Sequence, residues 1–395
     1  MKNVRVWSGC LLGMVWLLLA ASAQGSIVNG LYEASVPVPD QTPAARSVAL
    51  QQALAAVLVK VTGERTAGGV PALAGLVKDP NQFLQQYHYE QTQDNNGSAP
   101  ASGVTYFDLT RNGALAIAAT GLVLHAKFDP DAVDQAVHAA GEPVWGRERP
   151  ATLVWLALQD GNIRTILSAG SNPAVTQTMN GVATQRGVPL LFPAMDATDQ
   201  QAIGFADIWT NNATVIEQAS ARYKPDAILV GNIYLVSAGQ YAVRWQLTSG
   251  GSVQAWSGAA GDLVGITTEG LQTAADDYAK QYAIAAAATG VNNVPLQVDG
   301  VDSVDAYAQV LAYLNTLTPV KSVQVRRVND GSVYFSLDTR GSVANLAQAI
   351  TLGDLLKPVE QSAPATGTES GVPAAGSISL PAVTQIPTLH FQYGK

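Results

Sequence analysis

Val323–Leu337 reads VQVRRVNDGSVYFSL. Val323 and Val325 alternate with polar residues on one side of Asn329-Asp330-Gly331, and Val333, Phe335 and Leu337 alternate on the other. Alternation with period two around an Asn-Asp-Gly triplet predicts two antiparallel strands joined by a tight turn. Working outward, Ser303 precedes a run in which Val304, Tyr307, Val310, Leu311 and Leu314 share one helical face, with Ser303 as its cap. Leu296–Val298 is strand-like before it. Val343, Leu346 and Ile350 mark a second helix, and Leu355–Val359 a last strand. The order βαββαβ over residues 291–360 predicts a ferredoxin-like split unit.

Upstream, residues 148–290 read as a central α/β unit. Thr152–Leu158 (TLVWLAL) is an apolar run expected of a buried strand, followed by a turn at Gln159-Asp160-Gly161-Asn162. Pro173–Arg186 reads as a helix closed by Gly187, and Pro189–Phe192 as a short buried strand. Ala202–Trp209 and Ala213–Tyr223 read as helices. Asp226–Val236, Gln240–Thr248 and Ser252–Ser257 form a three-strand meander, and Thr267–Ala287 is a long Ala-rich helix. In the middle strand, Tyr241, Val243, Trp245 and Leu247 point opposite to Arg244, Gln246 and Thr248, which describes a sheet with one packed and one wet face.

Residues 24–147 form a first α/β unit. Leu31–Val38 alternates as a strand; Thr42 and Pro43 suit the cap and first turn of a helix with Leu50, Leu54, Val57, Leu58 and Val61 on one stripe, ending near Gly63. Asn81–Tyr89 fits a helix or a strand. Gln91–Gly103 reads as a polar loop, Thr105–Leu109 and Leu122–Phe128 as strands, and Asp131–Ala140 as a helix. The fold class expected is therefore α+β or α/β: two mixed units, the βαββαβ unit, and a C-terminal tail.

That tail, residues 361–395, is rich in Pro, Gly, Ser, Thr and Ala and reads as a flexible, disordered linker. Leu389–Tyr393 alternates like a strand able to join a sheet edge, but at the end of such a linker it is expected to fray.

Residues 1–23 read as a cleavable secretory signal. Lys2 and Arg5 precede the apolar run Cys10–Leu19, and Ala21-Ser22-Ala23 places cleavage between Ala23 and Gln24. The run is too short to span a bilayer, and no later stretch reads as a stable membrane insertion. The expected location is the periplasm. Cys10 is the sole cysteine and falls inside the signal, so the mature chain has no thiol for disulfides, catalysis or metal ligation. Without Lys2 and Arg5 the chain carries 20 basic and 30 acidic residues, a net charge of −10, which argues against nucleic acid and anionic membranes as partners. Charged residues make up only 13% of the chain, so its surface is largely neutral and polar, suited to contacts with proteins or glycans.

Motifs for chemistry are sparse. There is no G-x-G turn, no phosphate loop and no nucleophile elbow, and His88, His125, His138 and His390 lack metal-ligand spacing, so no cofactor, metal or catalytic residue is assigned. Asp196, Asp199 and Asp207, and the pair Asp276-Asp277, are the carboxylates available to an aspartate-dependent hydrolase; the plainer reading makes the first group helix-start residues and the pair a solvated face. Of the five tryptophans after the signal, Trp155 and Trp245 lie on apolar strand faces, leaving Trp209 and Trp256 as candidates for stacking on a glycan such as peptidoglycan. Gly146–Arg149 (GRER) reads as a solvated hinge between the first two units.

LYEASVPVPDQTPAARSVALQQALAAVLVKVTG (Leu31–Gly63), the central RPATLVWLAL, RGVPLLFP, FADIW, ASARYKPDAILVGNIY and WQLTSGG stretches, and LQVDGVDSVDAYAQVLAYL resemble the proteobacterial family known as domain of unknown function 2066. The resemblance implies a Gram-negative envelope protein and carries no functional residues. The element order of the central unit is similar to envelope-accessory modules, namely the N-terminal domain of the Tol–Pal β-propeller protein and the lipoprotein activators of peptidoglycan synthases, which bind proteins. The expected function is that of a non-catalytic periplasmic adaptor for an envelope protein complex. A peptidoglycan- or glycan-binding module is the alternative, and an aspartate hydrolase a third.

Overall fold

The computed structural model describes residues 28–91, 121–168, 170–237, 239–286, 290–353, 355–359 and 388–394. The signal, most of the loop after Gln91, the strand expected at Thr105–Leu109 and the linker at 361–387 lie outside them. The described chain is a mixed α+β structure built on three sheets.

The first sheet joins β1 (Glu33–Pro37), β2 (Leu84–Gln91) and β3 (Leu122–Phe128) in the antiparallel order β1-β3-β2, with helices α1 (Pro43–Thr62), α2 (Pro71–Lys78) and α3 (Pro130–Ala139). Thr42 accepts from the Ala45 N–H, Pro43 opens α1, and Gly63 closes it at φ +72° with its N–H on Val59 O. α1 is long and apolar enough to cross a membrane by length and composition, but half of that window lies inside the fold. Its Ala53, Leu54, Val57, Leu58 and Val61 are fully buried in the first core. The ambiguous Asn81–Tyr89 stretch resolves as strand β2, whereas α2 has no counterpart in the sequence reading.

The central sheet runs β5-β4-β7-β8-β9, from β4 (Thr152–Asp160), β5 (Ile163–Leu167), β7 (Ala227–Ser237), β8 (Gln240–Ser249) and β9 (Ser252–Ala260), with the short β6 (Leu190–Leu191) on β4. β4 and β7 are parallel; the meander β7-β8-β9 is antiparallel. Helices α4 (Pro173–Arg186) and α8 (Leu263–Tyr282) cover one face, around Val154, Leu156, Trp245, Leu271 and Tyr278. Helices α5 (Ala197–Ala202), α6 (Phe205–Trp209) and α7 (Ala213–Ser220) lie at the other, with Leu153, Trp155, Ile208 and Ile216. Three local expectations change. The Gly161 turn returns at once into β5. The expected Ala202–Trp209 helix is broken at Ile203-Gly204, because Asp207 accepts from the Gly204 N–H and starts α6 there. α8 begins at Leu263, not Thr267, because the Asp262 carboxylate accepts from the Gly265 N–H at 2.6 Å; it ends at Tyr282, and Ile284 then pairs with Val144.

The third sheet contains β10 (Val294–Asp299), β11 (Val320–Asn329), β12 (Ser332–Thr339), β13 (Leu356–Pro358) and β14 (Leu389–Tyr393), with helices α9 (Val304–Thr316) and α10 (Val343–Thr351). The two-residue turn has φ +32° at Asp330 and +77° at Gly331, as expected of a primed hairpin turn. Val304 is 82% exposed, not on the buried face: as the first residue of α9 it precedes the stripe of Ala306, Val310 and Leu314.

The larger correction concerns the tail. Its last strand does not fray. The order is β11-β12-β10-β14-β13, so β14 is inserted between the first and last strands of the βαββαβ pattern, parallel to β10 and antiparallel to β13. Phe391 enters the third core at 3% exposure, packed with partly buried Leu389 and Tyr393, while His390 reaches Asp299 on β10. Without β14, β10 and β13 would each lose a backbone ladder.

Phe391→Ala is expected to destabilise the third unit by about 3–5 kcal/mol, as for other buried aromatic truncations. Deleting residues 388–395 should cost at least as much in urea unfolding; an unchanged midpoint would show that β14 contributes nothing to the sheet.

Candidate functional site

Gly146–Arg149 is not a solvated hinge. Arg149 is fully buried and Glu148 is 8% exposed, because this segment lies where the three units meet. The Arg149 guanidinium donates to five backbone carbonyls: Lys60 (2.6 Å), Gly146, Trp145 and Arg186 (2.8 Å each) and Gly187 (3.4 Å). It also lies 3.7 Å from the centroid of the Trp145 ring. Burial pushes its pKa down to about 9, still above neutral, so it is charged at physiological pH. Glu148, raised by burial, accepts from the Thr318 N–H, and the Arg147 N–H donates to Thr318 Oγ1, linking the third unit.

A second buried arginine extends the junction. Arg186 donates to Gly63 O at 2.6 Å and to Asp276 Oδ1 at 2.7 Å; Arg65 binds the other Asp276 oxygen and Glu269. Asp276 is thus the shared anion of two arginines from different units, not part of a solvated face, while Asp277 pairs with Lys280. Two glycines permit the close approach. At Gly187, φ is +66° and a Cβ would fall 2.6 Å from Leu31; at Gly63 a Cβ would fall 2.3 Å from Ala279.

The other carboxylates also find structural partners. Asp196 caps α5 and forms a two-pronged pair with Arg222, which holds its carboxyl well below the usual range. Asp199 is fully buried, accepting from Arg222, the Met195 N–H and the Tyr223 hydroxyl at 2.5 Å. Asp207 caps α6. These groups do not line either cleft described below.

One polar row escaped the sequence reading. Ser35 Oγ lies 2.8 Å from His125 Nδ1, His125 Nε2 lies 2.9 Å from Glu90 Oε2, and the His88 ring stacks on His125 at 4.8 Å. Register explains the row, since Ser35, His125 and His88 are direct cross-strand neighbours on β1, β3 and β2. Spacings of 90 and 37 residues conceal it in the chain. It ties three strands together, and no described cleft reaches it.

The two candidate tryptophans are not brought together. Trp256 stacks on Trp245, its cross-strand partner, on the face covered by α4 and α8. Trp209 packs on the opposite face, engaged by Phe205, Tyr234 and the Arg244 guanidinium. They form no common platform for a sugar ring. Trp256 does, however, mark β9, an edge strand of the central sheet whose residues are mostly exposed.

Two clefts lie at the unit boundaries. One, small, lies between the central and third units around Glu148, Tyr282, Thr318 and Gln348. The other, about 470 Å³, separates the first and central units and is lined by Val28–Leu31, Lys60, Asn180, Ala183, Thr184 and Gly187–Leu190. No group of three or more potential metal ligands occurs among the described residues.

Residues 26–146 match the family described as domain of unknown function 8605. This corrects the resemblance to family 2066: the model that matches is a different one, and it covers the first unit alone. No curated protein matches the chain. A solved structure described as an uncharacterized protein aligns with 34% of this chain and 93% of its own, at 9% identity and a TM-score of 0.16, a likeness that carries no argument.

Replacing Arg149 with Met strands several buried carbonyls, each worth about 1–3 kcal/mol, and should cost at least ~4 kcal/mol in thermal unfolding. Asp134, which accepts from the Tyr32 hydroxyl, has its pKa raised by burial to about 6 from 3.8. The folded state therefore binds its proton more tightly, a contribution complete below pH 4 and lost as pH rises through 6. In Asp134→Asn this loss, about 2–3 kcal/mol at full size, should vanish from the pH profile of stability.

Proposed function

We propose that this protein is a non-catalytic periplasmic adaptor that binds a cell-envelope protein by accepting an extended partner segment along the outer edge of β9, which pairs with β8 alone among the described residues. The contrast among sheet edges carries this reading. β1 bears Glu33 and Pro37, β2 His88 and Glu90, and β5 Arg164. β11 bears Lys321, Arg326 and Arg327 with two register shifts, and β13 bears Lys357 and Pro358. Charges, prolines and irregularities of these kinds protect an edge from strand addition.

β9, SVQAWSGAA, has none of them. Its pairing with β8 is unbroken from Tyr241↔Ala260 to Ser249↔Ser252, and Val253 is 59% exposed. A straight, neutral edge nine residues long presents main-chain donors and acceptors to an incoming strand, with alternate side chains supplying selectivity. Placement in the periplasm is supported by the signal-like Met1–Ala23 and the thiol-free sequence after it.

A photo-crosslinker at Ser257 should recover one envelope protein from the cells that make this chain. The adduct should disappear in an Ala255→Lys, Ala259→Lys variant that unfolds at the wild-type temperature. Recovery of no envelope protein above background overturns the proposal.

A further inference from the structure

Lys60 presents a physical problem that the adaptor reading leaves aside. It is 9% exposed, on α1, and its ammonium donates to Glu33 O at 2.8 Å and to Gly30 O at 3.4 Å. Neither acceptor is charged, and the two account for only two of its three protons. Arg149, whose Nη2 is bonded to Lys60 O, is likewise held by neutral carbonyls. Neither cation makes a salt bridge among the described residues. Two neighbouring buried positive charges with no direct ion-pair partner are costly, since each resists the other as well as its own desolvation; the Glu33 carboxylate acts on Lys60 and that of Glu148 on Arg149 only without contact. Both effects push the Lys60 pKa down, to about 8, and Glu33 only partly opposes them.

The 470 Å³ cleft is where an anion can relieve this. Lys60 and its acceptor residue Gly30 are both part of the cleft wall. The rest of the wall is divided. Val28, Leu31, Ala183, Val188, Pro189 and Leu190 are apolar, whereas Asn29, Asn180 and Thr184 are neutral and polar. Among the described residues, no acidic side chain lines it. A wall of that kind, with one cation in it, matches an elongated small molecule having an apolar body and a single negative end. A compact, strongly hydrated dianion such as phosphate would leave the apolar part unused.

We propose that the cleft between the first and central units binds a small organic monocarboxylate, its apolar body against Leu31, Val188 and Leu190 and its carboxylate on the Lys60 ammonium. The third N–H of Lys60 donates to the carboxylate, which also offsets the nearby Arg149 charge. Nothing is transferred; the site is a binding site.

Octanoate serves as the probe, with octanamide and inorganic phosphate as controls for charge and for the apolar body. Octanoate should raise the unfolding temperature of the signal-free chain saturably, and octanamide and phosphate at least tenfold more weakly. Lys60→Met should abolish the response. Because that residue is buried, Asn180→Trp provides a second variant: the position is exposed on the cleft wall, and the larger ring should block the cleft and weaken octanoate at least tenfold without disturbing Lys60. Absence of a saturable octanoate shift, equal binding of octanamide, or an undiminished response in Asn180→Trp overturns the proposal.

Discussion

The burial of the Arg149 guanidinium is the constraint from which the arrangement of the units follows. A guanidinium has five N–H donors in a rigid plane, and here they are taken up by carbonyls from the end of α1, the end of α4 and its own segment. The charge is accommodated because the acceptors are backbone oxygens near two helix C-termini, where the helix dipole is negative. The packing of Trp145 against it excludes water. Neither the first nor the central unit can move away without stranding the charge or the carbonyls. Glu148 and Arg147, one and two residues earlier, bring Thr318 of the third unit to the same point.

The rest of the junction serves that contact. Gly187 and Gly63 give up side chains so that helix ends can approach, and Asp276 bridges Arg186 and Arg65, with Glu269 as the second anion on Arg65. What the junction leaves without an ion-pair partner is Lys60, at the wall of the larger of the two clefts. The central sheet, fixed on this base by α4 and α8, then exposes β9 at its far edge.

Much of this architecture was legible because its signals are local. Thr42, Pro43 and Gly63 bracket α1, and Asp330-Gly331 sets the hairpin, since capping and turn conformations depend on residues a few positions apart. Alternation in Tyr241–Leu247 separated the two faces of β8, but the face expected to be wet is covered over β4 and β7 by a second core beneath α5, α6 and α7. Distant partners leave no such local mark. GRER looks hydrophilic by composition, yet its carbonyl acceptors come from Lys60 and Arg186, 89 and 37 residues away. Leu389–Tyr393 carries a strand pattern, but nothing local says that a gap between β10 and β13 awaits it. Ser35, His125 and Glu90 meet only through strand register.

The sequence by itself determined the class of most elements, the mixed α+β composition and the absence of thiols after Cys10 and of nucleotide-binding turns, because these follow from residue type and short-range spacing. Only the tertiary structure decided that the candidate tryptophans lie on opposite sides of a sheet, that the aspartates are caps and ion-pair partners, and that two cations are buried beside a cleft. Those outcomes depend on which surfaces are removed from water together, and desolvation is a property of the packed chain that no stretch of residues encodes alone.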